Sequence, residues 1–252
     1  MPDWVKRAVI IVKFIPPFQT AKLIKRYKRF LADVELPDGS CMTIHCPNTG
    51  SMLNCNNPGS HVWYSTAENK KRKYPHTFEI IQLAGKKLAG INTGRANHLV
   101  CEAIEHKLVE SLTGYQSLRR EVKYGNENSR IDFLLQGHPD KPDRACYIEV
   151  KNVTLGMEKG LGMFPDSITT RGTKHLRELM HIVSKGNRAV LFFCVQHSGI
   201  KRVEPAVEID PVYSETLVEA ASAGVEILAW QAKLSPGEIS LVRQIPVILP
   251  QK

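Results

Sequence analysis

Three strand-like segments follow one another closely in the second half of the chain. They are "SLRREVKY" (117–124), "RIDFLLQ" (130–136) and "CYIEVK" (146–151), and the polar turns "GNENS" and "GHPDKPDRA" separate them. Connections this short join neighbouring antiparallel strands, whereas parallel strands need a crossover of a dozen or more residues. We therefore predict an antiparallel meander of three strands at the centre of this half of the chain.

Helix-like segments flank the meander. "NHLVCEAIEHKLVESL" (97–112) has apolar residues at helical spacing, and Gly114 is expected to end this helix. A second helix is predicted from about 171 to 184, with Gly186 after it, and "AVLFFCVQ" (189–196) reads as a strand buried on both faces. "YSETLVEAASAG" and "VEILAWQA" add a helix and a strand. The predicted order from residue 97 is therefore α-β-β-β-α-β-α-β, a mixed sheet with helices.

The first third of the chain has a different pattern. It contains the short strand-like segments "RFLADVEL", "CMTIHC", "VWYST" and "TFEIIQL", which turns rich in Gly, Pro, Asn and Asp separate. Such a pattern is typical of a small all-β barrel or sandwich. The change of pattern near Gly85–Gly94 divides the chain into an all-β domain over 1–88, with a leader at 1–16, and a mixed-sheet domain over 89–252. The fold class is α/β (α+β).

The charge favours a polyanionic partner. The formal net charge is +9 and the pI is about 9.3, which indicates nucleic acid. In "KLIKRYKRF" (22–30) and "ENKKRKYPHTF" (68–78), basic residues alternate with aromatic ones that can stack on bases. An exposed basic edge strand with aromatic residues in the core gives the same pattern. The candidate nucleic-acid ligands here are Lys25, Arg26, Lys28, Arg29, Lys71, Arg72 and Lys73.

Cysteine usage and hydropathy indicate a cytoplasmic protein. Six cysteines are present without a CxxC pair, which is typical of reduced thiols. The apolar run at 8–12, between Arg7 and Lys13, is too short for a signal sequence or a membrane span. We expect no membrane partner.

The meander carries a group of charged residues that can do chemistry. In "YIEVK", Glu149 and Lys151 share one face of a strand, because side chains alternate with period two. Antiparallel pairing with the preceding strand would bring Asp132 within a few Å of Glu149. The alternative is a solvated face with a salt bridge, which is the ordinary strand pattern.

Two neighbouring carboxylates repel each other unless a cation compensates for them. Asp132, Glu149 and the backbone carbonyl of Val150 would suit Mg²⁺, which prefers oxygen ligands and retains several waters. Lys151 would orient or help to deprotonate the attacking water, or neutralise charge on the phosphorane. The preceding helix offers Glu102 or Glu105 as a further carboxylate, of which we prefer Glu102. For either residue taken alone, a solvated helix charge is the simpler explanation.

The order α-β-β-β-α-β, with Asp132 on one strand and Glu149-x-Lys151 on the next, resembles the PD-(D/E)XK nuclease fold. The chain departs from that motif at one position, because Ile131 precedes Asp132 where the motif has proline. In addition, "HCPNTGSM" (45–52), "KRKYPHTFE" (71–79), "SRIDFLL" (129–135), "YIEVKNVTL" (147–155) and "FPDSITTRGTKHLREL" (164–179) resemble the sugar fermentation stimulation protein (SfsA) family. This resemblance covers the chain from about residue 17.

The resemblance implies an N-terminal OB-like barrel, a C-terminal PD-(D/E)XK nuclease-like domain, DNA binding, and a link to regulation of sugar (maltose) utilisation. By this resemblance, Asp132 and Glu149 are the two catalytic carboxylates and Lys151 is the catalytic lysine. It also places Arg171, Lys174 and His175 on the helix after the site, as auxiliary nucleic-acid-binding residues. Enzymes of this fold are often dimers, so a homodimer is one expectation.

Three functions are compatible with these features. The first is a nuclease that depends on Mg²⁺ or Mn²⁺ and acts on DNA or RNA, of which we favour DNA. The second is a non-catalytic DNA-binding regulator with a dormant nuclease fold, and the third is an OB-type module for carbohydrate or oligonucleotide. The presence of Asp132, Glu149 and Lys151 together favours the nuclease, because a protein that only binds gains nothing from paired acids.

Overall fold

A computed structural model describes residues 12–14, 16–69, 71–125 and 129–250. The strands are β1 (Val12–Lys13), β2 (Gln19–Tyr27), β3 (Leu31–Glu35), β4 (Cys41–His45), β5 (His61–Thr66), β6 (His76–Gln82), β7 (Leu88–Gly90), β8 (Ser117–Tyr124), β9 (Ser129–Gln136), β10 (Cys146–Val153), β11 (Leu155–Gly156), β12 (Leu161–Phe164), β13 (Arg188–Val195), β14 (Arg202–Pro205), β15 (Glu226–Leu234) and β16 (Glu238–Gln244). The helices are α1 (Gly94–Glu105), α2 (Thr170–Ser184) and α3 (Pro211–Ser222). Among the described helices, none has both the length and the apolar character needed to cross a bilayer.

Strands β2 to β6 form a closed barrel. The sheet order is β4-β3-β2-β5-β6-β7, and a parallel bridge between His45 and Thr77 joins β4 to β6 and closes the barrel. Inward-facing residues such as Leu23, Ile44 and Phe78 fill its interior. Closure removes the exposed edges that an open sheet would leave. The barrel form of the all-β prediction is confirmed, and we call residues 16–90 the barrel domain.

The rest of the described chain forms a seven-stranded mixed sheet with the order β1-β16-β15-β13-β10-β9-β8. Strands β8, β9 and β10 are the predicted antiparallel meander, while β13 and β15 continue parallel to β10. Helix α1 packs on one face of the sheet, and α2 and α3 pack on the other. Strand β13 is buried on both faces for this reason. The predicted fold class is confirmed, and we call this part the α/β domain.

Some elements differ from the sequence-based expectations. Helix α1 ends at Glu105, because the chain leaves the helical region at Lys107 (φ +59°), and a 3-10 turn at Glu110–Leu112 then buries Leu112. Strand β16 and the small sheet β11-β12-β14 were not expected. Within the expected leader, β1 pairs with β16 and Phe14 packs into the α/β core. Residues 1–11 and 15 of that leader lie outside the described residues.

The two domains pack against each other through residues 47–55 of the barrel domain. The Met52 N–H donates to Asp166 Oδ2 at 3.0 Å, and the Ser51 hydroxyl donates to the Asp166 carbonyl at 2.5 Å. A Cβ on Gly50 would come within 2.6 Å of the Asp166 carboxylate oxygens, so only glycine allows this approach. Along the chain, the barrel domain ends with β7, the last strand of its sheet, and the α/β domain continues with α1 from Gly94.

Candidate active site beside the domain junction

Asp132 lies where two strands of the meander separate. The register between β9 and β10 runs from Cys146 opposite Leu135 to Ile148 opposite Phe133, and it stops one residue before Asp132. The Asp132 carboxylate then takes the place of the next ladder partner, since its Oδ2 accepts a hydrogen bond from the Val150 N–H at 2.7 Å. Its Oδ1 accepts from Asn97 Nδ2 at 2.8 Å. The acid is therefore fixed at the opening between the strands.

Glu149 and Lys151 share the face of β10 that is turned towards α2. Lys151 Nζ donates to Glu149 Oε1 at 2.6 Å, and His175 Nδ1 of α2 forms a short contact with the same oxygen. Lys151 Nζ is also 3.1 Å from His175 Nδ1. The predicted pair thus exists, and α2 contributes a third member. His175 is only 5% exposed and forms part of this group, while its predicted contact with nucleic acid stays a prediction.

The two carboxyl groups have opposite pKa shifts. Burial, followed by the neighbouring charge of Glu149, raises the pKa of Asp132 to about 6. Burial also acts to raise the pKa of Glu149, but Lys151 and His175 outweigh it and leave the pKa of Glu149 below its ordinary value. Near pH 7 both groups are ionised, and Asp132 lacks a fully compensating cation.

One oxygen of this group has no partner. Glu149 Oε2 is buried and forms no hydrogen bond, which is costly for a carboxylate oxygen. A hard divalent cation bound between Glu149 Oε2 and Asp132 would satisfy it, and the backbone carbonyl of Val150 and waters would complete an oxygen ligand set. No cluster of three or more His, Cys, Asp or Glu suited to a metal occurs among the described residues. Mg²⁺ bound through one or two carboxylates usually keeps several waters, which phosphate oxygens can replace.

The structure does not bring Glu102 into this group. Burial raises the pKa of Glu102, and the charged residues close enough to influence this pKa are His106, His98 and Glu105. The α1 residue that contacts Asp132 is Asn97, five positions earlier, which is about 140° away around the helix. Asn97 was not predicted as a site residue. Its signal in the sequence is weak, because a polar residue near a helix N-terminus is ordinary.

Two of the basic residues of the barrel hold a loop in place. The Arg26 guanidinium donates to the carbonyls of Arg29, Asn48 and Gly50 at 2.8–2.9 Å, and Arg29 Nε donates to the Thr49 carbonyl at 2.8 Å. Arg26 is thus occupied in organising the loop at the domain junction. The predicted contacts of Arg26 and Arg29 with nucleic acid stay predictions.

The other predicted barrel cations lie at the surface. Lys25 pairs with Asp33 at 3.7 Å, while Lys28 is exposed in the turn between β2 and β3. Lys71, Arg72 and Lys73 are exposed in the loop before β6. The structure places none of these five residues beside Asp132, and their contact with nucleic acid stays a prediction.

A basic hollow of about 550 Å³ lies on the side of α2. The predicted residues Arg171, Lys174 and His175 line it, together with Lys123 and Arg130, which were not predicted. Lys123 and Arg130 are partners across β8 and β9, so the pairing of the meander determines this group. Since His175 also contacts Glu149, the hollow adjoins the acidic site.

A second cavity, of about 350 Å³, lies between the domains. It is lined by the loop that Arg26 organises, the N-terminal part of α1, the end of β10 and the segment before α2. Lys151, Val150 and Asn97 are shared between this cavity and the site around Asp132. The acidic site thus has a basic hollow on one side and an interdomain cavity on the other.

Fold and site together define a two-domain protein in which an OB-like barrel packs on a nuclease-like α/β domain. Family comparisons agree with both parts: residues 24–91 match the SfsA N-terminal OB domain, and residues 94–238 match the sugar fermentation stimulation protein RE domain. The chain belongs to the sugar fermentation stimulation protein (SfsA) family, which confirms the resemblance seen in the sequence.

Individual relatives cover nearly the whole chain. A sugar fermentation stimulation protein homolog of Shewanella loihica is 60% identical over 94% of this chain and 99% of its own, and one of Shewanella frigidimarina is 57% identical over 89% and 94%. Among solved structures, that of Pyrococcus furiosus SfsA in complex with Ca²⁺ matches with a TM-score of 0.83 at 26% identity, covering 94% of this chain and 98% of that one.

Proposed function

We propose that this protein is a nuclease that hydrolyses phosphodiester bonds of DNA with Mg²⁺ or Mn²⁺ bound between Asp132 and Glu149. The observation that carries the proposal is the buried, unpartnered Oε2 of Glu149 next to a second carboxylate. A carboxylate oxygen in this state is unfavourable unless a ligand completes it. A divalent cation does so, and it also polarises a phosphate oxygen and activates water.

The residues around the acids have separable roles in this proposal. Asn97 and the Val150 N–H hold Asp132, and His175 and Lys151 hold Oε1 of Glu149, so that Oε2 faces the cation. Lys151 is a cation close to both carboxylates, and it stabilises negative charge that develops on the phosphate. The partners of the two acids orient them, and loss of such partners typically lowers metal affinity by about 10- to 100-fold.

The surroundings of the site favour a polyanionic substrate. Lys123, Arg130, Arg171 and Lys174 line the hollow beside His175, with Glu121 as its one acidic lining residue among those described. Together with the formal charge of +9, these side chains would bind a phosphate backbone that enters the site from the α2 side.

Further support comes from a relative and from the fold. The Pyrococcus furiosus protein was solved with Ca²⁺, a hard cation that prefers oxygen ligands, as Mg²⁺ does. Asp132, Glu149, Lys151 and His175 all come from one chain, so the proposed reaction does not need a second copy. The six cysteines are free in the structure, which supports the expectation that the protein acts in the cytoplasm.

The test is cleavage of labelled DNA and RNA, single- and double-stranded, with Mg²⁺, with Mn²⁺ and with EDTA. We expect the wild type to cleave DNA only with metal and Glu149→Gln to lose cleavage by at least about 10²-fold while still binding DNA. Glu215→Gln, which removes an exposed carboxylate on α3, is the matched control. Cleavage by Glu149→Gln at the wild-type rate would reject the proposal. Metal-dependent DNA binding without any cleavage would favour a dormant site in a binding protein.

A further inference from the structure

The interdomain cavity has the properties of a site for one small polar ligand. Its volume of about 350 Å³ lies near the lower end of the range of roughly 300–1,000 Å³ found for small-ligand sites. Both domains contribute to it: the barrel domain supplies the loop with Asn48, Thr49 and Gly50, and the α/β domain supplies the remaining walls. The ligand would therefore contact the barrel and the nuclease-like domain at once.

The lining combines the groups that recognise a nucleotide. Amide and hydroxyl side chains come from Asn48, Thr49, Asn97, Asn152, Ser167 and Thr169. Arg29 and Lys151 add two cations, whereas the acidic lining residue among those described, Asp166, accepts the Met52 N–H. Met163, Phe164 and Ile168 add apolar surface. Hydrogen-bonding groups beside apolar surface read the edge and the face of an unstacked base, and cations bind its phosphate.

Asn152 provides an unused donor in this lining. Gln196, itself 1% exposed, donates from Nε2 to Asn152 Oδ1 at 2.7 Å, which orients the Asn152 amide. Asn152 Nδ2 is then buried without any hydrogen-bond partner. A buried donor without a partner is costly. Because Asn152 lines the cavity, a small rotation of its amide would bring Nδ2 to an acceptor atom on a ligand. The carbonyl oxygens and ring nitrogens of bases are such acceptors.

The position of the cavity links it to the proposed reaction. Val150, Lys151 and Asn97 line it and also contact or flank the two acids. Ile168 stands at its wall with 76% of its surface exposed, although the side chain is apolar. In architectural DNA-binding proteins, apolar side chains insert between bases and partly unstack them. A ligand in the cavity would thus be the nucleotide next to the reacting phosphate.

We propose that the interdomain cavity receives one unpaired nucleotide of the substrate strand, so that the protein acts on single strands, or on unpaired nucleotides in a duplex, rather than on continuous duplex. The inference rests on the proposed nuclease function. A cavity of this size admits a single nucleotide that has left the stack but not a base pair held within a helix. Asn152 Nδ2 contacts the base, and Ile168 covers its face.

The test measures binding without cleavage, in EDTA, by fluorescence anisotropy of labelled DNA. The ligands are a single strand, a continuous duplex, and a duplex with one unpaired nucleotide, all of equal length. We expect the wild type to bind the first and the third more tightly than the continuous duplex. Asn152→Leu should weaken binding of those two by about tenfold and leave duplex binding unchanged. Ile168→Ala, which removes an exposed side chain and keeps the fold, should weaken the same two by a smaller factor.

Matched controls are Asn57→Leu and Ile248→Ala, which change exposed residues outside the cavity and should bind like the wild type. The proposal is overturned if the wild type binds single strand and continuous duplex equally, or does not bind single strand at all. It is also overturned if Asn152→Leu and Ile168→Ala bind single strand as tightly as the wild type does. If only the nuclease function fails, the result is different: Asn152→Leu still weakens binding of unpaired DNA, but the wild type cleaves no DNA with any metal. Metal-dependent cleavage without strand preference would reject the cavity proposal alone.

Discussion

Asp132 Oδ2 accepts a hydrogen bond from the Val150 N–H at 2.7 Å, one residue beyond the last paired position of β9 and β10. A side chain here replaces a backbone partner of the sheet. The same contact closes the ladder and holds a carboxylate beside Glu149, so the geometry of the site follows from the separation of two strands. The energetic cost is that Asp132 is ionised in a poorly hydrated place, which raises its pKa to about 6.

Replacement of Asp132 by Asn should stabilise the metal-free protein. The Asn side chain carries no charge, its oxygen accepts from the Val150 N–H, and its Nδ2 donates to the Asn97 oxygen after a flip of the Asn97 amide. Since the pKa of Asp132 is raised from 3.8 to about 6 in the folded state, the folded state binds more protons between these values. Stability therefore falls as pH rises through this window and stays lower above it. At pH 7 we expect Asp132→Asn to gain about 1–3 kcal/mol in the free energy of unfolding.

The measurement is denaturant unfolding in EDTA at pH 7 and at pH 4, where the gain should shrink. Asp143→Asn, at an exposed position, is the control and should change little. A loss of stability in Asp132→Asn at pH 7 would show that the carboxylate is compensated in the metal-free fold, contrary to this account.

Divalent metal affinity should decrease as pH falls through about 6. The proton on Asp132 competes with the cation, and the raised pKa of Asp132, about 6, sets the pH at which this competition begins. Glu149, whose pKa is lowered, stays ionised over the same range and adds no second step there. Below pH 6 we expect the affinity to fall up to about tenfold per pH unit. Mn²⁺ titrations at several pH values check this, and an affinity that is flat from about pH 7 to pH 5 would remove Asp132 from the ligand set.

Arg26→Lys should destabilise the barrel loop at the domain junction. A lysine cannot reproduce the three short hydrogen bonds that the guanidinium makes to the carbonyls of Arg29, Asn48 and Gly50. We expect a loss of about 1–3 kcal/mol in unfolding free energy, with faster hydrogen exchange of residues 47–52. Arg72→Lys, in an exposed loop, is the matched control. Wild-type exchange rates in Arg26→Lys would mean that the loop does not depend on this residue.

The sequence predicts the parts of this fold that local patterns determine. The three meander strands, the buried β13 and the shared face of Glu149 and Lys151 follow from periodicity and short turns. Strand β1 and the pairing of β16 depend on contacts between distant parts of the chain, which no local pattern records. Helix α1 was expected to continue to Gly114, because Leu108 and Leu112 have helical spacing, although Leu112 lies in a 3-10 turn.

The site shows the same division. Asp132 near Glu149 follows from the expected pairing of adjacent strands. Asn97, and not Glu102, contacts Asp132 because of the way α1 is rotated about its axis against the sheet. The sequence does not show this rotation, since both residues flank the apolar stripe of the helix although they lie about 140° apart. Arg26 looks like any exposed cation until the carbonyls of its own loop are placed. Asn152 has no recognisable signal, because its importance lies in a donor left without a partner.

The central claim is that Asp132 and Glu149 hold a divalent cation, and calorimetric titration of Mn²⁺ into the full chain tests it most directly. We expect one site in the wild type and in Glu215→Gln, and loss of that site in Glu149→Gln and in Asp132→Asn. Equal binding by all four proteins, or no binding to the wild type at millimolar concentration, would contradict the account and leave the two acids as a structural feature of the sheet.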